Sequence, residues 1–358
     1  MTRIVDTTDD LTPEWFTEAL RGSGTLGAQD SVVSVEATVI GTGQVGFVVR
    51  AQLSYDGANA APASLIVKLP STDDGSRQMG AAMGIYESEV RFYQEIAPRL
   101  SGAIPTMYWG DVDPANGRFS LVIEDLLPNA DVGDMVGGGT LKQAELAIGV
   151  LPTLQAPIWN DPDLVELRWA GLERTEMLFG AVEPSIDTFV ARFGDRVDPA
   201  HLELATRLAP KAAGSAQRLW SAPFVIAHGD YRLDNMMFGR FEGAPPITVL
   251  DWQAARLGPP LLDVAIYLGS CMTVDERRVE EDRLLRVYHN GLRAAGVNDF
   301  SFEDCRQSYR VSSLYPFLLT IAVSVTLQRT ERGDQMWAQM FSNSAAIVSD
   351  TGADALLG

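Results

Sequence analysis

The sequence is poor in cysteine, in lysine and in long apolar runs. Only Cys271 and Cys305 stand in its 358 residues. Two cysteines make no disulfide framework, and no C-x-x-C motif offers a zinc or redox site. The amino-terminal residues lack the basic start and apolar run of a secretory signal, and Asp6, Asp9 and Asp10 come early. The longest apolar stretch, Val311 to Leu327, is interrupted by Ser312, Ser313, Pro316, Thr320, Ser324 and Thr326. It is too short and too polar for a membrane span and reads as a buried core helix. Neither an internal repeat nor a low-complexity tract is present. These absences predict a reducing, cytoplasmic setting.

Positive charge is scarce too. Lys plus Arg number 28 against 47 Asp plus Glu, a net charge of -19, which argues against nucleic acid or an anionic membrane as partner. The deficit is spread, with -9 over residues 1–126 and -10 over residues 127–358, so neither half is an acidic tail. A solvated surface explains it; an acidic pocket for a cationic ligand is the sharper alternative. With 46% hydrophobic residues the chain is a folded one, long enough for two lobes.

Thr12-Pro13-Glu14 opens a short helix to Arg21, because a hydroxyl residue before proline is a helix-start signal. Strand patterns follow over residues 31–40, 47–55 and 64–69, with a turn signal at Asp56-Gly57-Ala58-Asn59. A helix is expected over 82–100, then strands over 106–111 and 119–124. After Leu126 helical periods dominate, over 141–154, 175–193, 199–220, 274–295, 302–329 and 335–349. A small island of strands lies between Phe224 and Leu250. The pattern predicts an α+β chain: a strand-rich lobe over residues 1–126 and a mainly helical lobe over 127–358.

Four segments carry chemistry. Gly41-Thr42-Gly43-Gln44-Val45-Gly46-Phe47-Val48 reads G-x-G-x-x-G-x-V. It joins two strands rather than opening a helix, which argues against a dinucleotide fingerprint and suits a loop that covers ATP phosphates. A plain glycine-rich hairpin is the alternative. Leu65-Ile66-Val67-Lys68 is an apolar strand ending in one of only three lysines, against 25 arginines. A compact ammonium there suits phosphate oxygens. The helix holding Glu87 and Glu89 offers acids to pair with it. Phe92 and Tyr93 mark the Glu89 face as inward, with Glu87 as competitor. His228-Gly229-Asp230-Tyr231-Arg232-Leu233-Asp234-Asn235 then reads H-x-D-x-x-x-x-N after an apolar strand. Asp230 and Asn235 have the spacing of a kinase catalytic loop, in which the aspartate takes a hydroxyl proton and the asparagine binds metal. Ile247 to Leu250 is a strand ending in Asp251, an oxygen ligand suited to a hard cation.

On these residues the chain resembles the aminoglycoside phosphotransferase and choline-kinase-like superfamily of small-molecule kinases, which have a bilobal protein-kinase-like fold. The likeness runs from Gly41 to at least Asp263. It is strongest at His228 to Asn235 and at Asp251-Trp252 with Gly258-Pro259 and Asp263. Glu89 to Tyr93 and Ile123 to Leu126 look most like its ecdysteroid-kinase-like branch. The resemblance implies Asp230 as catalytic base, and Asn235 and Asp251 as ligands of Mg²⁺. It implies that Lys68, paired with Glu89, contacts the phosphates of ATP beneath Gly41, Gly43 and Gly46. Residues 123–126, with Glu124 and Leu126, would form the hinge that meets adenine. Asp263 would brace the catalytic loop. Arg232 stands where many protein kinases have lysine and would stabilise the transferring phosphate. Gln155 stands where many relatives carry histidine.

Asp251 is followed almost at once by Gly258-Pro259-Pro260 and Asp263. There is no A-P-E and no long activation segment to dock a protein. The expected acceptor is therefore a small-molecule hydroxyl. Trp159, Trp169, Met177, Phe179, Tyr267, Tyr315, Phe317 and Trp337 favour a hydrophobic or aromatic alcohol if several line the pocket, though core packing also explains them. An aminoglycoside would need clustered carboxylates, for which Glu173, Glu176, Asp275 and Glu280 are candidates. A nucleotide-binding pseudokinase is the rival class, and the intact set Lys68, Asp230, Asn235 and Asp251 speaks against it.

Overall fold

A computed structural model describes residues 2–42, 46–57 and 61–358. The chain divides into two compact units. The first comprises Met1–Asp131, Gly239–Ala244 and Thr248–Ala254; the second takes Val132–Phe238, Pro245–Ile247 and Ala255–Gly358.

The first unit is built on an antiparallel five-stranded sheet in the order β1-β2-β3-β5-β4. Its strands are β1 (Ser31–Thr42), β2 (Gly46–Asp56), β3 (Ser64–Pro70), β4 (Met107–Asp113) and β5 (Arg118–Glu124). Helix α1 (Pro13–Gly22) starts where Thr12 accepts the Trp15 N–H, with Pro13 needing no donor. Its Trp15, Phe16 and Leu20 form one core with Val49, Leu65, Val67 and Val122 of the sheet. Each such side chain contributes about 1.5–3 kcal/mol through burial. Helices α2 (Asp74–Ala82) and α3 (Ile85–Arg91) follow β3.

The second unit is mainly helical. Its helices are α4 (Leu141–Gln155), α5 (Leu172–Gly180), α6 (Val182–Phe193), α7 (Pro199–Leu208), α8 (Ser215–Leu219), α9 (Leu262–Ser270), α10 (Val274–Ala294), α11 (Phe302–Ser312), α12 (Leu314–Ser324) and α13 (Glu331–Thr351). A two-stranded antiparallel pair, β7 (Val225–Ala227) with β10 (Arg256–Gly258), leads into the H-x-D segment. Three short strands, β6 (Ala130–Val132), β8 (Met236–Gly239) and β9 (Ile247–Val249), carry residues of both units. Around α9 every residue is buried, and Phe189, Phe317 and Phe341 stack nearby in the same unit's core.

Several expected helices are divided. The one over 82–100 begins only after Gly84, at φ 64°, and widens into a π-turn over Phe92–Ile96. That over 175–193 breaks at Ala181, because Pro184 in the first turn of α6 cannot donate to the preceding helix. Pro210 and Gly214 divide 199–220, and Pro316 separates α11 from α12 and so divides 302–329. Helices α2 and α9 lie where no helix was expected. Among the described residues, no helix is long and apolar enough to cross a membrane.

Candidate active site

In the first unit Lys68 is the organising residue. It lies on β3 between Val48 of β2 and Leu121 of β5. Its ammonium donates to Glu89 Oε1 at 2.6 Å and to Asp251 Oδ1 at 2.7 Å. Glu89 is 3% exposed, whereas Glu87 lies nearer the surface, its Oε1 3.9 Å from Nε of Arg91. Burial disfavours the Lys68 charge, but Asp251 and Glu89 outweigh it and push the pKa up. Burial pushes Glu89 up to about 7, helped by Asp251 and opposed by Lys68 and the Trp252 backbone N–H. Two carboxylates around one ammonium leave local negative charge, a setting that favours a further cation.

Asp251 has φ 63°, the left-handed region that a non-glycine residue enters only when its surroundings hold it there. The following Trp252 stacks on Phe92 with ring centroids 3.8 Å apart. That stack fixes the Asp251 turn against the helix segment that carries Glu89.

At residues 123–126, the Asp125 carboxylate ties the chain to the sheet. It accepts from Arg50 Nε and Ser64 Oγ, both at 2.6 Å, and from the Leu127 N–H at 3.0 Å. Glu124 exchanges bonds with Thr106 through both backbone and side chain. The Leu126 carbonyl accepts the N–H groups of Asn129 and Ala130. Gly46 is a glycine because a Cβ there would come within 2.7 Å of the Leu69 carbonyl oxygen. Gly41 opposes Val48 across a bulge in β1. Gly43 lies outside the described residues, as do Gln44, Val45 and much of the turn at Ala58-Asn59.

In the second unit Asp230 sits in a loop held from every side. Asn235 Nδ2 donates to its backbone oxygen at 2.8 Å and to Oδ2 at 2.9 Å. Arg232 Nε donates to its Oδ1 at 2.9 Å, and the same guanidinium reaches Asp234 at 2.5 Å. Asp234 in turn accepts the Met135 N–H at 3.0 Å. Tyr231 is wholly buried and donates to the Ala147 carbonyl at 2.6 Å. Gly229 has φ 80°, which explains glycine between His228 and Asp230. Asp263, on α9, accepts the backbone N–H groups of His228 and Gly229. Burial raises its pKa, while His228 and those two donors pull the other way.

Three further residues support the site through bonds that their local sequence does not announce. One is Asp125. The second is Cys271, whose sulfur accepts the Leu233 N–H at 3.3 Å and which burial pushes up to about 12, so it stays a thiol. The third is Gln155, which is 1% exposed and bonds Pro260 and Tyr288. Asp125 lies within the stretch Ile123 to Leu126, but for all three only the fold shows what they bond.

The residues suit a hard cation. In the second unit Asn235 spends its amide nitrogen on Asp230 and keeps its amide oxygen out of that bond; in the first unit the Asp251 carboxylate is 28% exposed. No group of three or more His, Cys, Asp or Glu fit to hold a metal occurs among the described residues. Oxygen donors of this kind are the type Mg²⁺ takes, one or two from protein with phosphates and water completing its shell.

The carboxylates that a polycationic acceptor would need are engaged or exposed. Glu176 accepts the Gly214 and Gln217 N–H groups at 2.8 and 2.7 Å, and Glu280 pairs with Arg283 at 2.6 Å. Glu173 and Asp275 are exposed. Of the residues that could line an apolar pocket, Phe179, Tyr267, Tyr315 and Phe317 are core, as is most of Trp169. Met177 is exposed, and Trp159 and Trp337 are half-buried.

A model of the phosphotransferase enzyme family, APH, matches residues 58–297, more than half the chain. Comparison with curated proteins gives no match. Similar solved structures include a variant of aminoglycoside 2'-phosphotransferase-IIIa in its GDP complex. Its TM-score is 0.54 at 13% identity, over 95% of this chain and 99% of that one. The microcompartment-associated aminopropanol kinase follows at 0.51 and 13%, over 96% and 100%. Plasmodium vivax ethanolamine kinase stands at 0.50 and 12%, over 92% and 85%. The shared fold is the bilobal, α+β, protein-kinase-like one.

Proposed function

Because this chain belongs to the APH phosphotransferase enzyme family, we propose that it is an ATP- and Mg²⁺-dependent kinase of a small-molecule hydroxyl. One observation carries the reading: a half-buried lysine, Lys68, held between Glu89 and Asp251. Phosphoryl transfer asks mostly for positioning and charge neutralisation, and such a fixed ammonium serves both. Residues 1–126 act as the nucleotide-binding lobe, with Gly41, Gly43 and Gly46 over the phosphates. Glu124 and Leu126 present backbone groups to adenine. Residues 127–358 supply the catalytic loop and the acceptor site.

In the reaction Asp230 orients the acceptor hydroxyl and takes its proton. The acceptor oxygen forms a bond to the γ-phosphorus as the bond to the β-phosphate oxygen breaks, leaving ADP. Arg232 sits one contact from Asp230 and offers its charge to the transferring group. Asn235 and Asp251 are the residues that would hold Mg²⁺, which would neutralise phosphate charge.

The acceptor is a hydrophobic or aromatic alcohol rather than an aminoglycoside, since the engaged Glu176 and Glu280 leave no built carboxylate cluster. The intact Lys68, Asp230, Asn235 and Asp251 set disfavours a silent pseudokinase. The acidic chain works in the cytoplasm, without nucleic acid or membrane as partner.

The test is a melting screen with Mg²⁺ and nucleotide, then a panel of alcohols, since ligands of the native state raise its melting temperature. With an acceptor in hand, Asp230→Ala should keep the nucleotide-induced shift and form no phosphorylated product. Turnover at the wild-type rate in that variant would sink the assignment.

A further inference from the structure

Arg232 is held by two carboxylates, and the proposed reaction gives only one of them a task. Its Nε donates to Asp230 Oδ1 at 2.9 Å, while its Nη1 donates to Asp234 Oδ2 at 2.5 Å. Asp234 spends its other oxygen on the Met135 N–H at 3.0 Å. Met135 lies in the segment 133–139, which packs directly on the catalytic loop. There the Gly133 N–H donates to the Met236 carbonyl at 2.9 Å, and a Cβ on Gly133 would stand 2.5 Å from the Leu233 carbonyl oxygen. Helix α13 meets both the segment and the guanidinium. Its Arg332 pairs with Asp134 at 2.9 Å, and its Met336 sulfur lies 3.4 Å from Arg232 Nη1. All of these residues belong to the second unit.

An arginine beside one carboxylate commonly closes on it with two parallel bonds, because its donors form a rigid fork. Asp230 does not receive that pair. Its Oδ2 accepts from Asn235 Nδ2 at 2.9 Å, and the guanidinium divides its bonds between Asp230 and Asp234. A carboxylate gripped at both oxygens by a cation is a poor proton acceptor, since the cation favours its charged form. A cation spent in that way also has less charge to offer a phosphate. We propose that Asp234 is a positioning residue that draws the Arg232 guanidinium off Asp230, leaving Asp230 able to take the hydroxyl proton and Arg232 able to meet the transferring phosphate. Through Met135, Asp234 also registers the segment 133–139 to that cation. Asp234 touches no reacting atom and acts through Arg232. Its role rests on the tasks given above to Asp230 and Arg232.

Asp234→Asn keeps an oxygen for the Met135 N–H and withdraws the charge that holds Arg232. The full chain is assayed for ADP release from Mg-ATP with water as acceptor, in wild type, Asp234→Asn, Arg232→Met and the double variant. Asp234→Asn should lower kcat about tenfold or more and leave KM for Mg-ATP within about twofold. In the Arg232→Met background the same change should cost less than about twofold, since the residue it acts through is gone. A wild-type kcat in Asp234→Asn would reduce Asp234 to a partner of Met135 and overturn the proposal. Equal losses in both backgrounds would overturn it too, because Asp234 would then act without Arg232. Urea denaturation of the same four proteins needs neither nucleotide nor acceptor. Non-additive midpoints are expected, and additive ones overturn the tie between Asp234 and Arg232 whatever the kinetics. A wild type that binds no Mg-ATP in titration calorimetry fails the kinase reading instead, and the urea result still decides whether Asp234 holds Arg232.

Discussion

Asp263 accepts the backbone N–H of His228 at 2.8 Å through Oδ2, while its Oδ1 takes that of Gly229 at 3.0 Å. A side chain on α9 thus fixes the backbone that aims Asp230. Asp263 is 2% exposed, so Asp263→Ala would strand two buried donors at about 1–3 kcal/mol each. Chemical denaturation should show the full loss for alanine and about half of it for Asp263→Asn, which keeps one acceptor oxygen. Equal stability of the three proteins would refute the bracing role.

Gln155 does a similar job from α4. Its Nε2 donates to the Pro260 carbonyl at 3.1 Å, and its Oε1 accepts from the Tyr288 hydroxyl at 2.5 Å. Gln155→Leu should therefore cost about 1–3 kcal/mol, since it removes both bonds while the Tyr288 hydroxyl keeps the Pro260 carbonyl, 3.5 Å away, as an acceptor. A double-mutant cycle with Tyr288→Phe should give a coupling of about 1 kcal/mol. A coupling near zero would show the short bond to carry no weight.

Much of this was legible in the sequence, for a physical reason. Amphipathic elements announce themselves, so Val274–Ala294 lies within a residue of its expected end. The helix carrying Asp263 did not, because all nine of its residues are buried and it has no polar face to set a period. Phe92 and Tyr93 marked the inward face of Glu89, and that glutamate is buried while Glu87 is not. Motif spacing brought Asp230 and Asn235 to attention. The partners of the motif residues were silent. Asp125, Gln155 and Cys271 act through distant segments, and no local pattern encodes a contact across 38 to 133 residues.

The Lys68–Glu89–Asp251 triad should make stability depend on pH. The folded pKa of Glu89, about 7, lies above its ordinary value of 4.5, so the folded state holds a proton that the unfolded chain releases. The Glu89 contribution is then fully present below pH 4.5 and is lost as pH rises through 7, by about 3 kcal/mol. Glu89→Gln cannot titrate. The stability of wild type minus that of the variant should fall across this window in urea denaturation. Parallel curves would exclude a raised Glu89.

Asp251 separates folding from chemistry. Its φ of 63° is tolerated by asparagine almost as well as by aspartate, so Asp251→Asn keeps the turn and removes only the charge. Lys68 loses one partner, but Glu89 loses a like-charged neighbour, and the two changes oppose each other. The melting temperature without ligands should therefore stay close to wild type. Turnover should fall by on the order of 10²–10³ or more, since a charge that neutralises the reacting phosphates has lost its anchor. Asp251→Ala is the contrast, because it forces an ordinary side chain into the left-handed region at a cost of about 1–2 kcal/mol. Calorimetry and a phosphoryl-transfer assay on both variants check this. An Asp251→Asn protein with wild-type turnover would remove Asp251 from the reaction altogether.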